Sequence, residues 1–367
     1  MVLAGFSTAD NYKSLGGRLM KKKMRILIVA GFYLLIATGI AVAAEWANPD
    51  LLVTPEQVQQ NIDKSDWVVI DARELKDYAK GHIPGAISLG KRVKKALRDS
   101  TARVYKDVSK YENLLGKAGI DNNTHVVFYH GDEKTLTDAT VGFWVMEYLG
   151  HDKVHFMDGG LEAWRNSGFR LAKEPTIKEA KTFAANVAPS RYASTDEIFE
   201  IAMGQKQGVQ VIDSRSEKEY DGDDIRALRG GHVPNTTINV SHKDTMIKEL
   251  DKKTEKMEAT GFIDAKAVQE KFASLDKNKR TIGYCQTGTR STLTYLELRL
   301  LGFKDPANWD DSWRVYASDL NANRPVEGSN GEQWYNFDKV NKDLKNLAKK
   351  VKELEETIAK LDEETSE

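Results

Sequence analysis

The sequence predicts an α/β protein in which one parallel-sheet domain, flanked by helices, is used twice and followed by a coiled-coil helix. Three observations predict this. β-branched runs alternate with amphipathic stretches, the pattern of parallel strands joined by helical crossovers. The same short motifs occur twice in the same order. Beyond Pro325, apolar residues recur at alternating spacings of four and three.

The repeat is read from its motifs. Val68-Val69-Ile70-Asp71-Ala72-Arg73 is followed by Tyr78 and by Gly81-His82-Ile83-Pro84-Gly85-Ala86-Ile87. Val211-Ile212-Asp213-Ser214-Arg215 is followed by Tyr220, Gly231-His232-Val233-Pro234 and Ile238-Asn239-Val240. Further on, Val126-Val127-Phe128-Tyr129 leads into His130-Gly131-Asp132, and Thr281-Ile282-Gly283-Tyr284 into Cys285-Gln286-Thr287-Gly288. Each copy then enters a helix that ends near Leu149-Gly150 or Leu301-Gly302, glycine after the last apolar residue being a helix stop. Trp164 and Trp313 follow at similar distances. The predicted bodies span residues 45–174 and 190–328, with a linker between.

After the second body, Val340, Leu344, Leu347, Val351, Leu354, Ile358 and Leu361 form a heptad seam in a helix over 335–365. Leu344, Val351 and Ile358 take the a positions, with leucines at d from Leu347 onward. That choice favours a parallel two-stranded coil, so a homodimer through this helix is expected, with Lys350 and Glu355 paired across it.

The N-terminus reads as a targeting segment. Lys21-Lys22-Lys23-Met24-Arg25 precedes an uncharged stretch from Ile26 to Ala44 that ends in Ala41-Val42-Ala43, a small-x-small pattern suited to a signal peptidase. Cleavage would leave Ala44 or Glu45 first. Retention would anchor the chain to the inner membrane by residues 26–44, and Met20 is the expected start. Either route leaves the body in the periplasm or otherwise exported. The formal net charge of −1 gives no field favouring nucleic acid.

There is one cysteine in 367 residues, Cys285. No intramolecular disulfide or thiolate metal cluster can be built from it, and no metal or cofactor is predicted. It stands where a strand ends and a Gly-containing loop, Cys285 to Arg290, runs into a helix near Ser291. Backbone N–H groups and the helix dipole in such a place stabilise an anion, which lowers a thiol pKa and activates the thiolate.

The Asp-x-Arg turns, the Gly-His-x-Pro segments, the Cys285-Gln-Thr-Gly-Thr-Arg290 loop and the later Trp309 to Trp313 stretch fall in the order found in rhodanese domains. From Leu51 to Val326 the chain resembles the tandem-domain sulfurtransferases, the thiosulfate/3-mercaptopyruvate family. The resemblance implies double displacement. Cys285 is the nucleophile, and a small sulfur-containing donor (thiosulfate, polysulfide or a mercapto acid) leaves a persulfide on it. A thiophilic acceptor then removes the outer sulfur. Gln286, Thr287, Gly288, Thr289, Arg290 and Ser291 would line the substrate loop. Asp213 would give structural support by pairing with Arg215, which either braces the loop or faces the pocket.

The sequence departs from the family in three places. His130 occupies the nucleophile position of the first copy, whose loop reads as longer and whose domain is expected to be inactive. Gln286 and Thr287 replace the basic residues that many thiosulfate users carry, which leaves the donor open. Asn235 replaces the equivalent of Gly85, read as a local loop change.

Two rival functions remain. A persulfide carrier or scaffold for a partner enzyme is one. A cysteine phosphatase or arsenate reductase is the other, but those loops place Cys and Arg one residue further apart than the four residues between Cys285 and Arg290. His82 and His232 read as structural turn residues. His151 and His155 lack the carboxylates of a metal site, and Lys91, Arg92, Lys94 and Lys95 read as a solvated basic surface.

Overall fold

The computed structural model describes residues 45–251, 256–262, 264–318, 324–328 and 337–366. The signal peptide or N-terminal anchor predicted over 1–44 lies outside the described residues. No helix among the described residues is long and apolar enough to cross a membrane.

The first body contains strands β1 (Leu52–Val53), β2 (Trp67–Asp71), β3 (Ile87–Ser88), β4 (His125–Tyr129) and β5 (Val154–Met157). They form a sheet in the order β1-β5-β4-β2-β3, with every pairing parallel. The second contains β6 (Tyr192–Ala193), β7 (Gln210–Asp213), β8 (Ile238–Asn239), a hairpin of β9 (Met246–Asp251) and β10 (Lys256–Phe262), then β11 (Arg280–Tyr284) and β12 (Asp305–Trp309). Its parallel sheet runs β6-β12-β11-β7-β8. Strand for strand the two orders are identical, so the sequence repeat is a structural repeat.

The central strands are buried on both faces, which is why they read as continuous β-branched runs rather than alternating ones. Val126, Val127, Phe128 and Tyr129 on β4 are all buried, and Ile282 and Tyr284 on β11 likewise. Helix α1 (Glu133–Tyr148) follows β4 and helix α2 (Ser291–Leu300) follows β11. Gly150 and Gly302, just past these helices, have φ of +77° and +82°. Only glycine adopts this conformation without strain.

The two bodies share a core. Trp144 and Leu136 of α1 pack in one apolar cluster with Leu293, Tyr295, Leu296 and Leu300 of α2. Glu147 of α1 accepts hydrogen bonds from the Tyr295 hydroxyl at 2.5 Å and from Arg299 Nε at 3.0 Å. The antiparallel β9–β10 hairpin, absent from the expected all-parallel sheets, adds to this junction. Met246 and Phe262 join the shared cluster, and the Phe262 N–H donates to Asp158 at 3.2 Å. Where β10 follows an irregular register at Ala259/Gly261, its last residue reaches the first body.

Asn235 has φ of +63°, close to the +79° of Gly85. The expected loop change is therefore corrected. Asn, the non-glycine residue that best tolerates the left-handed region, keeps the turn, and its Nδ2 donates to the Ile201 carbonyl at 3.0 Å.

The C-terminal helix α3 spans Phe337–Ser366. Leu344, Leu347, Val351, Leu354, Ile358 and Leu361 along it are 47–62% exposed.

Candidate active site

β11 is the middle strand of the second sheet, between β7 and β12. Cys285 follows its last residue, at the carboxyl end where open parallel sheets bind ligands. The six residues from Cys285 to Arg290 then turn into α2. Cys285 is fully buried.

Three hydrogen bonds fix the backbone of Cys285 and Gln286. The Cys285 N–H donates to Ser312 Oγ at 3.0 Å. Its carbonyl accepts the Trp313 N–H at 3.0 Å, and the Gln286 carbonyl accepts the Arg314 N–H at 2.9 Å. The short helix Ser312–Tyr316 thus holds the loop from behind. Ser312 itself has φ of +55°, an uncommon backbone for a non-glycine residue, and its hydroxyl donates to the Trp309 carbonyl at 2.8 Å.

The sulfur has its own partners. Ser291 Oγ lies 3.7 Å from Cys285 Sγ and 2.6 Å from Asn308 Oδ1, so its single proton can serve either. Asn308 Nδ2 donates to the Gly288 carbonyl at 3.2 Å. Burial pushes the Cys285 thiol pKa up. The Arg290 charge, the Thr287 and Ser291 N–H groups and the Ser291 hydroxyl outweigh it, and the thiol ends below its ordinary value. Four stabilisers of the anion outweigh one desolvation penalty.

Arg290 is not a free cation. Its Nη1 and Nη2 bond to Glu219 Oε2 and Oε1 at 2.7 and 2.8 Å. Glu219 is buried. Burial raises its pKa, but Arg290 together with Arg226 and Arg215 draws it down to about 2. The positive charge expected at the rim is thus shared with a carboxylate. Gln286 Nε2 donates to the Arg226 carbonyl at 3.1 Å, and the Thr289 hydroxyl is turned towards the first body, where it accepts from Arg98.

Arg215 is fully enclosed. Its Nη2 bonds Asp213 Oδ2 at 2.6 Å and the Gly231 carbonyl at 2.7 Å. The guanidinium lies 4.5 Å from the Trp313 ring centroid. The pocket-facing assignment of Arg215 is corrected: a fully enclosed cation is retained only where it is paired and hydrogen-bonded, and here the pair ties the Asp213 turn to the Gly231 turn. Asp71 and Arg73 make the same brace in the first body, with Arg73 Nη2 bonded to the Gly81 carbonyl at 2.8 Å.

The histidines divide clearly. His82 Nδ1 and His232 Nδ1 each lie 2.9 Å from the carbonyl of the tyrosine they stack on, Tyr78 and Tyr220. These are turn-holding contacts. His151 bonds the Thr124 carbonyl at 2.8 Å, while His155, on β5, pairs with His125. His130 is buried against Phe156, and burial drives its pKa down to about 4. The first-body loop is corrected as well. Only His130, Gly131 and Asp132 separate β4 from α1, so it is shorter than its counterpart, because Asp132 caps the helix early.

Ser312, Asn308, Glu219 and Arg98 were not singled out from the sequence. Asn308 immediately precedes the Trp309 to Trp313 stretch and Ser312 lies within it, so both carried a positional hint. Glu219 and Arg98 approach from distant segments with no local signal.

Comparison with known proteins agrees with this architecture. The family described as Rhodanese-like domain matches residues 54–167 and 200–319. A Mycobacterium leprae protein carrying the provisional name thiosulfate sulfurtransferase is 30% identical over 74% of this chain and 96% of its own length. A Haloferax volcanii protein with the same provisional name is 28% identical over 80% of this chain and 98% of its own. Among solved structures, a 3-mercaptopyruvate sulfotransferase from Escherichia coli superposes with a TM-score of 0.60 at 20% identity, covering 72% of this chain and 98% of that one. An anaerobic ergothioneine biosynthesis enzyme from Chlorobium limicola gives 0.65 at 21%, covering 78% and 72%. At those identities the structural likeness shows the fold, while the family match reaches most of the body. The chain belongs to the rhodanese-like family with two such domains, and it is a sulfurtransferase of the rhodanese type.

Proposed function

We propose that this sulfurtransferase works through a Cys285 persulfide and does so outside the cytoplasm. The carrying observation is the buried Cys285 sulfur where β11 turns into α2, with Ser291 Oγ 3.7 Å away and the Thr287 and Ser291 N–H groups directed at it. The thiolate attacks the outer sulfur of a donor such as thiosulfate, a polysulfide or a mercapto acid. An S–S bond to Cys285 forms as the donor's bond to that sulfur breaks, and the leaving group departs with the electron pair (sulfite, in the case of thiosulfate). A thiophilic acceptor then attacks the outer sulfur, and the Cys285 thiolate leaves. Thr287 and Ser291 N–H groups, with the Ser291 hydroxyl, support the anion at each stage. Glu219 offsets Arg290 and makes the site less cationic than a dianionic donor would favour, so an uncharged or singly charged sulfane donor is the better fit. The same carboxylate argues against a phosphatase.

Intact-protein mass spectrometry after incubation with thiosulfate, polysulfide and 3-mercaptopyruvate in turn tests this reading. The expected result is a gain of one or more sulfur atoms, reversed by cyanide or thiol and absent in Cys285→Ser. No gain with any donor sinks it. Stable loading with slow turnover on every small acceptor would favour the carrier reading, since the inactive first domain and exposed α3 both suit docking to a partner enzyme.

Export rests on the Lys21–Arg25 run and the uncharged Ile26–Ala44 stretch, and cell fractionation decides between a processed periplasmic form and an anchored one. Dimerisation rests on the exposed α3 stripe. Leu347, Leu354 and Leu361 at d with Val351 and Ile358 at a, all half-exposed, fit a parallel pairing with a second copy. Light scattering should show a dimer that Leu354→Glu converts to monomer; an unchanged mass in that variant would rule out the seam.

A further inference from the structure

The catalytic loop is completed by a residue from the other domain. Arg98 follows the short helix Val93–Ala96 of the first body. Its side chain is 1% exposed. Nη2 donates to the Gly288 carbonyl at 2.8 Å, and Nη1 to Thr289 Oγ1 at 3.0 Å. Nη2 also lies 2.6 Å from Asp310 Oδ1, as an ion pair rather than an aligned hydrogen bond. The guanidinium sits 5.4 Å from the Trp144 ring centroid, over a face that is itself buried.

These contacts act on the part of the loop with least freedom to compensate. Gly288 has φ of +67°, and a Cβ there would come within 2.4 Å of the Asp310 carbonyl oxygen. The peptide after Gly288 is planar, with its C=O and N–H antiparallel. Holding the Gly288 carbonyl towards Arg98 therefore turns the Thr289 N–H away from the first domain. The same carbonyl also receives Asn308 Nδ2, whose Oδ1 engages the Ser291 hydroxyl next to the sulfur. Arg98, the Gly288 carbonyl, Asn308, Ser291 and Cys285 Sγ thus form one continuous chain of polar contacts.

The approach of Arg98 is itself fixed by docking of residues 99–104. The Val104 N–H donates to Asp310 Oδ2 at 2.8 Å, and Arg314 Nη2 to the Thr101 carbonyl at 2.5 Å. A guanidinium suits this position because its planar fork serves a carbonyl and a hydroxyl at once, and the charge is matched by Asp310.

We propose that Arg98 is a positioning residue of the second-domain reaction: the first domain, without a nucleophile of its own, sets the shape of the Cys285–Ser291 loop through this one side chain and thereby the reactivity of the Cys285 thiol. The proposal rests on Cys285 being the nucleophile.

Because Cys285 is the single cysteine of the chain, its alkylation by iodoacetamide reads the thiolate directly. In Arg98→Ala, the alkylation rate at pH 7 is expected to fall about tenfold, with rates converging above pH 10, as for a thiol whose pKa has risen by about one unit. Turnover number with a sulfane donor should fall with it while KM changes little. Arg98→Lys keeps the charge opposite Asp310 but loses the fork, and should fall roughly threefold; it carries the test if Arg98→Ala does not fold. Arg103→Ala, which breaks the more exposed pair with Asp311 at the same junction, should leave the pH profile unchanged. A purely structural Arg98 would alter melting temperature or alkylation at every pH alike. Wild-type pH profiles in Arg98→Ala and Arg98→Lys overturn the proposal. Turnover retained in Cys285→Ser would instead overturn the reading on which it rests.

Discussion

The loop after β4 and the loop after β11 leave the same scaffold position and do opposite things with their backbone N–H groups. In the first domain, Gly131 and Asp132 N–H groups donate to Thr135 Oγ1 at 3.0 and 3.1 Å, and the Thr135 N–H donates to Asp132 Oδ1 at 2.7 Å. The helix N-terminus is capped from within. In the second, Thr287 and Ser291 N–H groups act on the Cys285 sulfur, and Arg290 stands at the N-cap of α2 with no side-chain cap. The difference teaches that the first-domain loop departs from an anion cradle in more than the missing thiol. Its donors are already satisfied, and it is three residues shorter.

The surroundings diverge in the same sense. By register from the shared tyrosines, Tyr78 and Tyr220, Glu219 corresponds to Asp77. Asp77 is a surface carboxylate paired with Lys80, whereas Glu219 is buried and paired with Arg290. Glu219→Gln is therefore expected to have the larger effect of the two sites. Losing half of a largely buried pair should cost on the order of 3 kcal/mol of stability. The uncompensated Arg290 should lower the Cys285 pKa further, and faster alkylation below pH 7 checks this. A slower rate there would mean that Glu219 serves the loop by holding Arg290 in place rather than by offsetting its charge. Asp77→Asn should change stability by roughly 0.5 kcal/mol or less.

A second divergence lies in the helices. Counting back from Gly150 and Gly302, Glu297 of α2 stands where α1 has Val145. Both are buried. Burial raises the Glu297 pKa to about 8, only partly opposed by the Thr245 hydroxyl. The folded protein therefore keeps a proton that the unfolded chain releases near its ordinary carboxylate pKa. Stability from this group is full below that ordinary value and is lost as pH rises through about 8. Glu297→Gln should remove the loss, so that its melting temperature exceeds the wild-type value at pH 8 and approaches it at pH 5. An equal difference at both pH values would count against the buried proton.

Much of this was legible in the sequence because it is local. The β-branched runs, the stop glycines and the strand–loop–helix setting of Cys285 each lie within a few consecutive residues. What was not legible depends on segments that meet only in the fold. Arg98 is 190 residues from Gly288 and sits beside an ordinary-looking basic cluster. Glu219 reads as one more surface acid on a short helix. The β9–β10 hairpin is rich in Lys and Glu around Lys248–Asp251, a composition that carries little strand propensity. The shorter first loop was not legible because Asp, which caps the helix at Asp132, is equally at home in a loop.

The smallest expected effect tests the comparison most directly. If reactivity resides in the cradle rather than in the thiol, then placing a thiol in the first loop should achieve nothing. His130→Cys in a Cys285→Ser background would put sulfur in a buried site whose neighbouring N–H groups are already bonded to Thr135. Asp132 stands two residues on, and burial and a nearby carboxylate both raise a thiol pKa above about 8.5. Mass spectrometry after polysulfide treatment should show no added sulfur, and iodoacetamide at pH 7 no appreciable alkylation. Sulfur loading at that position would mean that any buried thiol at the end of this strand suffices, and the contrast between the two loops would then reduce to the presence or absence of cysteine. Continued inertness, beside a fully loaded Cys285 in the otherwise unchanged chain, would place the chemistry in the loop that Arg290, Ser291 and the first domain shape together.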